Sequence, residues 1–266
     1  GTIGYNYFDG TTPVTVSSTL PAGDYIIKVD KSGLSAPNYS FTTATGALTV
    51  ARSESLTVDA ADISEMYNGG THMVTPLASD MSADTIIWYS LTNSTDPADY
   101  STTAPSLVNV GDSATVYLMA KNPNYYTAFG DAEVDITPRV IALETNSQSK
   151  VYDATPLTNL GWDYITGNDG FIGTQGFDAA YATGTITNAG FVMNGFFYEY
   201  KNDTRTENYT VIVTEGKLTV VARTVGVALD AAEKNSGDAD PAFTFQYVAI
   251  PGLYDILPGT GVTMNL

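Results

Sequence analysis

Residues 208–223 read Asn208-Tyr-Thr-Val-Ile-Val-Thr-Glu-Gly-Lys-Leu-Thr-Val-Val-Ala-Arg223. The Asn-Tyr pair that opens this stretch occurs at residues 38, 124 and 208, which are 86 and 84 residues apart. The arginine that closes it recurs as Arg52 and Arg139, with nearly the same period. A constant period means that each unit is one structural module. Because a unit of about 85 residues is long enough to bury its own core, we predict a tandem array of small domains.

The end of each unit has the pattern of two strands joined by a tight turn. In the third unit, Glu215-Gly216 separates two runs rich in Val and Thr, which predicts a β-hairpin. The same pattern predicts hairpins with turns at Thr45-Gly46 and Gly130-Asp131. No stretch has the period of an amphipathic helix. We therefore predict an all-β fold of tandem small β-sandwich modules, Ig-like or grasp-like, with a period of about 85 residues. Linkers without Gly/Ser tracts predict a semi-rigid rod.

The recurring arginines mark the expected boundaries of the units. Residues 53–139 and 140–223 are complete repeats, whereas residues 1–52 match the back half of a repeat and residues 224–266 the front half. A half β-domain exposes an unpaired strand edge and an open core. We therefore expect head-to-tail self-association, in which residues 224–266 of one molecule dock against residues 1–52 of another.

Composition excludes several classes of function. The formal net charge is −18, from 29 acidic against 11 basic residues, so the surface repels phosphate backbones and anionic lipids; neither nucleic acid nor a membrane surface is an expected partner. The absence of cysteine excludes disulfides, Cys-zinc sites and cysteine nucleophiles. No apolar run is long enough for membrane insertion. Gly1 starts in the middle of the repeat pattern, so any secretion signal is expected outside this chain.

Short motifs at fixed places in the period carry a resemblance to a known family. These are Tyr67-Asn-Gly69 and Tyr152-Asp-Ala154 at unit starts, Asn188-Ala-Gly190 before a strand, and Asn208-Tyr with Gly216-Lys-Leu-Thr-Val220 at a unit end. Together they resemble the MBG/YDG-type repeats of bacterial cell-surface proteins. The resemblance implies tandem all-β modules in a large, secreted, adhesin-like protein, located extracellularly at the bacterial cell surface. The family supplies no catalytic or ligand residues to transfer, and we expect no enzyme.

The single histidine and the loop carboxylates are the side chains that suggest catalysis or metal binding. His72, the only histidine, follows Gly69-Gly70-Thr71, so we interpret it as a surface turn residue rather than a catalytic base. We expect no cofactor, although carboxylates in loops suit calcium. The candidate calcium groups are Asp59/Asp62/Glu65, Asn168/Asp169 and Asp238/Asp240, none of which has the spacing of a known calcium loop.

A short motif near residue 260 matches the Leu-Pro-x-Thr-Gly signal that sortases use for wall anchoring. It consists of Leu257, Pro258, Gly259, Thr260 and Gly261, and it is followed by Val262 to Leu266 rather than by an apolar segment with a basic tail. We favour a strand-forming coincidence over a sorting signal, because short motifs often match by chance.

Two hypotheses for function follow. In the first, the array is a stalk that projects an adhesive domain and has no ligand of its own. In the second, exposed tyrosines stack on a host glycan or glycoprotein; the candidates are Tyr125, Tyr126, Tyr198 and Tyr200. The alternative for these tyrosines is half-buried packing within strands, which we favour.

Overall fold

The computed structural model of the chain describes residues 3–167, 170–253 and 257. These residues form strands and short 3-10 turns but no α-helix, which confirms the predicted all-β fold of small sandwich modules. The strands up to residue 137 are β1 (Gly4–Asp9), β2 (Thr12–Val14), β3 (Gly23–Asp30), β4 (Gly46–Val50), β5 (Val58–Asp59), β6 (Ile63–Met66), β7 (Leu77–Ala78), β8 (Ile86–Ser90), β9 (Ala114–Lys121) and β10 (Ala128–Thr137).

The later strands are β11 (Arg139–Thr145), β12 (Gln148–Val151), β13 (Leu157–Thr158), β14 (Trp162–Tyr164), β15 (Phe177–Ala182), β16 (Thr185–Ile186), β17 (Gly190–Asn194), β18 (Phe196–Tyr200), β19 (Tyr209–Thr214), β20 (Gly216–Val221), β21 (Gly226–Leu229) and β22 (Phe245–Val248). The 3-10 turns are Pro97–Asp99, Val110–Asp112 and Thr206–Asn208. The chain divides into two compact units, Gly1–Pro138 and Arg139–Leu266. The repeat boundaries within these units and the semi-rigid rod stay predictions.

The first part of unit 1 is a single antiparallel sheet in the order β2-β1-β3-β4. Its buried apolar side chain is Tyr25, whose hydroxyl donates to the carbonyl oxygen of Pro21 at 2.7 Å. Other large apolar side chains here, such as Tyr5 and Tyr39, are exposed. A sheet needs a second layer to bury an apolar face, and within the described residues this sheet buries little of its own.

The second repeat has a sheet in the order β6-β10-β9-β8, and β5, which pairs with β7, lies against β9 and β10. β9 and β10 are antiparallel, whereas β10 and β6 are parallel, with Ile136 opposite Glu65. Alternate residues of β10 are buried, as period-2 alternation requires. The buried apolar residues of this repeat are Leu56, Val58, Tyr67, Val74, Ala78, Tyr100, Leu107, Val116, Leu118, Met119, Ala120, Ala128, Ala132, Val134 and Ile136.

In the third repeat, the first and last strands run parallel to each other through two sheets. β11 lies beside β19, with Leu143 opposite Val213, and β12 lies beside β20, with Gln148 opposite Leu218. β14 flanks β11 and β17 flanks β20 on their other sides. The chain passes from the first sheet to the second between β11 and β12, and again between β19 and β20. Because these two crossings lie side by side, they form the corner of a two-sheet module.

A small apolar cluster holds the layers of the third repeat together. Leu157 of β13 and Leu218 and Val220 of β20 are buried against one another. Ile186 of β16 and Val192 of β17 pack on this cluster while remaining partly exposed. The pair β13-β16 therefore covers the sheet β12-β20-β17, as a sandwich requires.

The predicted hairpins at the ends of the repeats are wrong. β19 and β20 belong to different sheets, and β10 runs without a turn through Gly130-Asp131. Residues 39–45 form no strand, so β4 has no hairpin partner before it. In both complete repeats, a strand near the end pairs in parallel with a strand near the start of the same repeat: β10 with β6, and β19 with β11. That partner satisfies the backbone groups that a hairpin would otherwise pair.

Three antiparallel strand pairs nevertheless recur at the period of the sequence: β3-β4, β9-β10 and β17-β20, whose second strands contain Gly46, Gly130 and Gly216, 84 and 86 residues apart. The paired positions are Ile27-Gly46, Tyr25-Leu48 and Gly23-Val50; Leu118-Gly130, Val116-Ala132 and Ala114-Val134; Asn194-Gly216, Val192-Leu218 and Gly190-Val220. β4, β10 and β20 are therefore equivalent strands, and Gly46, Gly130 and Gly216 are equivalent residues.

The last described strand pair, β21-β22, repeats the register of β11-β14. Val227 lies opposite Tyr247 as Leu143 lies opposite Tyr164. Leu229 lies opposite Phe245, as Thr145 lies opposite Trp162. β21 is therefore equivalent to β11, the first strand of the third repeat.

Candidate functional site

The third repeat contains a dense layer of aromatic rings between β14, β15, β18 and the start of β19. We call it the aromatic layer; its members are Trp162, Tyr164, Phe171, Phe177, Phe196, Tyr198, Tyr200 and Tyr209. Neighbouring ring centroids lie between 4.7 Å (Phe171 and Tyr209) and about 6 Å apart, mostly edge to face. Such geometry stabilises aromatic pairs beyond the burial of their area.

Hydrogen bonds fix two rings of the aromatic layer. The indole Nε1 of Trp162 donates to the carbonyl oxygen of Ala180 at 3.1 Å. The hydroxyl of Tyr209 accepts from the backbone N–H of Ile172 at 3.1 Å. Tyrosine and tryptophan need such partners when they are buried, so these rings belong to the core of the repeat.

Tyr198 and Tyr200, two of the predicted ligand-stacking residues, are members of the aromatic layer and are half-buried. Their ring centroids lie 5.3 Å apart, and each ring also contacts Phe177. Burial, followed by the charge and hydroxyl of Tyr198, raises the pKa of Tyr200 to about 12. Both rings thus pack on neighbouring rings, as the favoured packing interpretation expects, and a role of Tyr198 and Tyr200 in ligand stacking stays a prediction.

The other face of β15 and β18 carries an exposed aromatic pair that the sequence analysis missed. Tyr181 and Phe197 lie opposite each other in the ladder, with ring centroids 5.1 Å apart, and both are exposed. Alternation along Phe196-Phe197-Tyr198-Glu199-Tyr200 contained the signal, since Glu199 marks the face that Phe197 shares. We call Tyr181 and Phe197 the outer pair.

The remaining predicted tyrosines lie in the second repeat, at the turn before β10. Tyr125 is half-buried, and its hydroxyl is one of the groups, after Ser82, that lower the pKa of Asp80. Its backbone forms a parallel bridge to Ser53. Tyr126 is exposed, and its N–H donates to the carbonyl oxygen of Ser53 at 2.9 Å. Only Tyr126 of this pair therefore presents a free ring to solvent.

The interpretation of His72 as a surface turn residue is wrong, because His72 is 8% exposed. Its backbone N–H donates to the carbonyl oxygen of Leu107 at 2.7 Å and its carbonyl accepts from the N–H of Leu107. Through this bridge to the buried Leu107, the segment after the Gly69-Gly70 turn packs in the core of the repeat. The imidazole Nε2 is buried with no hydrogen-bond partner among the described residues.

The candidate calcium groups do not form a metal site among the described residues. Across residues 3–167 and 170–253, no three His, Asp or Glu side chains come together to hold a metal ion. Asp62 accepts the backbone N–H of Glu133 at 2.8 Å, and Asp240 forms an ion pair with Lys234. Asn168 and Asp169 lie outside the described residues.

Two further observations concern anchoring. Of the sorting-type motif, Leu257 is described, whereas Pro258, Gly259, Thr260 and Gly261 lie outside the described residues. In the part of the chain that the structure covers, we find no helix with the length and apolar character needed to cross a bilayer.

Comparisons with known proteins give matches to solved structures only. No protein-family model matches the sequence, and no curated protein matches it. A chain of the crystal structure of Dpr2 Ig1-Ig2 in complex with DIP-Theta Ig1-Ig3 matches at 9% identity, covering 84% of this chain and 90% of that one, with a TM-score of 0.28. The N-terminal eight Ig domains of DSCAM match at 9% identity, covering 94% and 55%, with a TM-score of 0.28. Bacteroides ovatus SGBP-B in complex with a mixed-linkage heptasaccharide matches at 12% identity, covering 89% and 66%, with a TM-score of 0.19. With TM-scores below 0.5, these likenesses carry no argument about function.

Proposed function

We propose that this chain is a structural repeat segment, a stalk, of a secreted and surface-attached bacterial protein of the adhesin type, built from MBG/YDG-type modules. One observation carries the proposal: an antiparallel strand pair like β3-β4 recurs as β9-β10 and β17-β20 at the period of the sequence, with Gly46, Gly130 and Gly216 spaced 84 and 86 residues apart. A chain that repeats one structural unit extends its length with each copy. Such repetition suits a spacer better than a single binding or catalytic centre.

The charge of the chain fits this role at a cell surface. A net charge of −18 keeps an extended protein in solution and repels nucleic acid and anionic lipid. On this proposal the protein is extracellular and non-enzymatic. The motifs at Tyr67-Asn-Gly69 and Tyr152-Asp-Ala154 support the family assignment.

The outer pair supports a second candidate function, binding of a host glycan or glycoprotein. Tyr181 and Phe197 together present an apolar surface to solvent beside the carboxylate of Glu199. Flat aromatic surfaces stack on the apolar faces of sugar rings, and nearby carboxylates accept hydrogen bonds from sugar hydroxyls. Tyr126 is a separate exposed ring in the second repeat.

A binding screen separates the two functions. The chain is tested against mucins and a glycan panel at physiological salt, with and without calcium. A stalk is expected to bind nothing above background. Saturable binding that is lost in Tyr181→Ala and Phe197→Ala, and retained in the exposed control Tyr5→Ala, would replace the stalk proposal with an adhesive module. Loss in Tyr126→Ala instead would place the ligand on the second repeat.

A further inference from the structure

The dipeptide Asn-Gly occurs twice in this chain, as Asn68-Gly69 in the second repeat and as Asn194-Gly195 in the third. In such a pair the nitrogen of the glycine can attack the side-chain amide carbon of the asparagine, because the glycine has no side chain to hinder the approach. The attack is intramolecular, and its rate depends on how close the two groups are held. The two dipeptides are identical, so the structure around each of them decides which one reacts.

The side chain of Asn68 is exposed and folds back over the peptide group that follows it. Its Oδ1 accepts the backbone N–H of Gly70 at 2.7 Å. That hydrogen bond closes a ring that contains the nitrogen of Gly69, so it holds the Cγ of Asn68 near this nitrogen and polarises the side-chain carbonyl. Among the described residues, neither the Nδ2 of Asn68 nor the N–H of Gly69 donates a hydrogen bond that the attack would have to break.

The turn at the start of the third repeat shows that this geometry accepts a carboxylate in place of the amide. There the Oδ1 of Asp153 accepts the N–H of Thr155 at 3.0 Å, which is the same hydrogen bond to the residue two positions on. The next residue has a left-handed backbone in both turns, with φ 74° at Gly69 and 65° at Ala154. An aspartate at position 68 is therefore compatible with the turn.

The surroundings of Asn194 prevent the same reaction. The residue is fully buried. Its Nδ2 donates to the carbonyl oxygens of Asn146 and Asn159, and its Oδ1 accepts from the N–H of Gly184, all at 2.9 Å. Attack by the nitrogen of Gly195 would require the amide to turn out of these three bonds, and the later hydrolysis would require water at a dry position. Asn194 therefore reacts only when the repeat opens locally.

We propose that Asn68 is a site of spontaneous deamidation in the folded protein and that Asn194 is protected. The nitrogen of Gly69 forms a bond to the Cγ of Asn68 while the bond from Cγ to Nδ2 breaks, and Nδ2 leaves as ammonia with the proton of the attacking N–H. Water then opens the cyclic imide. Cleavage of the new bond to Cγ gives aspartate, whereas cleavage of the original peptide bond gives isoaspartate, whose backbone is one carbon longer.

The products change the charge and the backbone at the start of the second repeat. In the third repeat, Lys150 lies three residues before Asp153 and pairs with its carboxylate at 2.7 Å. The residue three positions before Asn68 is Glu65, which is exposed, so the new carboxylate gains no lysine there. Isoaspartate also lengthens a turn whose left-handed backbone is set by Gly69. The inferred reaction therefore loosens this turn as the protein ages.

The first experiment compares the two sites within one molecule. The intact chain is held at physiological temperature and mildly alkaline pH, and samples taken over time are digested and mapped by mass spectrometry with fragmentation that separates aspartate from isoaspartate. The Asn68 peptide is expected to convert to both products. The Asn194 peptide is expected to convert at least about tenfold more slowly, because it waits for local opening. In a parallel sample unfolded in urea, this difference is expected to disappear.

The second experiment tests the attacking atom. Gly69→Ala places a β-carbon beside the nitrogen, and Ala154 shows that such a turn accepts alanine. The variant is expected to slow conversion of Asn68 about tenfold or more. Gly111→Ala is the matched control, because a β-carbon there meets nothing within 4 Å; it is expected to convert at the rate of the parent chain. Unfolding curves of both variants establish that the samples compared are folded.

Four outcomes would overturn the inference. Asn68 stays intact in the folded chain; Asn194 converts as fast as Asn68 without urea; Gly69→Ala converts at the parent rate; or aspartate forms without isoaspartate, which indicates direct hydrolysis by water. The inference goes beyond the stalk proposal and does not rest on it. Its failure would leave that proposal in place, because the glycan screen tests the stalk separately.

Discussion

The amide of Asn194 is expected to be one of the most sensitive single groups in the third repeat. The residue is fully buried. Its Nδ2 donates to the carbonyl oxygens of Asn146 and Asn159, both at 2.9 Å, and its Oδ1 accepts from the N–H of Gly184 at 2.9 Å. One side chain thus joins three separate segments at the corner between the two sheets.

The cost of removing this amide follows from the three bonds. Each buried hydrogen bond contributes about 1 kcal/mol net, and each partner left without a bond in the interior costs up to a few kcal/mol. Asn194→Ala is therefore expected to lower the free energy of unfolding by about 4 kcal/mol. With a slope of about 2 kcal/mol per molar urea, the midpoint falls by about 2 M. Asn194→Asp keeps the shape but turns an oxygen toward two carbonyl oxygens, so we expect at least the same loss.

The two tryptophans make the assay specific for one unit. In a Trp88→Phe background, Trp162 fluorescence follows urea unfolding of the unit that contains Asn194. The matched control is Asn188→Ala, an exposed asparagine of the same repeat, which is expected to change the free energy of unfolding by less than about 0.5 kcal/mol. A loss of under about 1 kcal/mol for Asn194→Ala would refute the idea that this amide holds the corner together.

The remaining predictions concern turns and the core. Gly69 (φ 74°) and Ala154 (φ 65°) occupy the third position of equivalent motifs, so in urea unfolding Ala154→Gly should stabilise by about 1 kcal/mol and Gly69→Ala destabilise by about 1–2 kcal/mol; opposite signs would contradict this. The ammonium of Lys150, followed by Thr155, holds the pKa of Asp153 far below its usual value. The ionised carboxylate of Asp153 therefore stabilises the folded state above about pH 4, and this stabilisation is lost as the pH falls through the depressed pKa. Lys150→Met should raise that pKa toward normal in an NMR carboxyl titration, and an unmoved titration would rule the ion pair out as the cause. Leu218→Ala, at a fully buried position, should cost about 3 kcal/mol by urea unfolding; a loss below about 1 kcal/mol would show that the site collapses around the smaller residue.

Two residues of the aromatic layer, Tyr198 and Tyr200, were named from the sequence, whereas the outer pair was not. Both tyrosines were predicted as ligand-stacking candidates, with half-buried packing in a strand as the favoured alternative. The structure places Tyr198 and Tyr200, both half-buried, in the aromatic layer and exposes Phe197 with Tyr181 on the other face. Alternation determines which residues share a face, whereas the layer that packs against the strand determines which face is covered. His72 was misinterpreted for the same reason, because a Gly-rich turn does not show what lies beneath it.

The sequence by itself determined the period and the all-β composition, because these depend on local dihedral preferences and side-chain alternation. The choice of partner for each strand was decided only by the tertiary structure. Glu215-Gly216 reads as a hairpin turn, yet β19 and β20 pair in parallel with β11 and β12. A strand has two edges and its sequence does not name the neighbour of either; that neighbour comes from residues about 70 positions away, brought there by burial of a shared core.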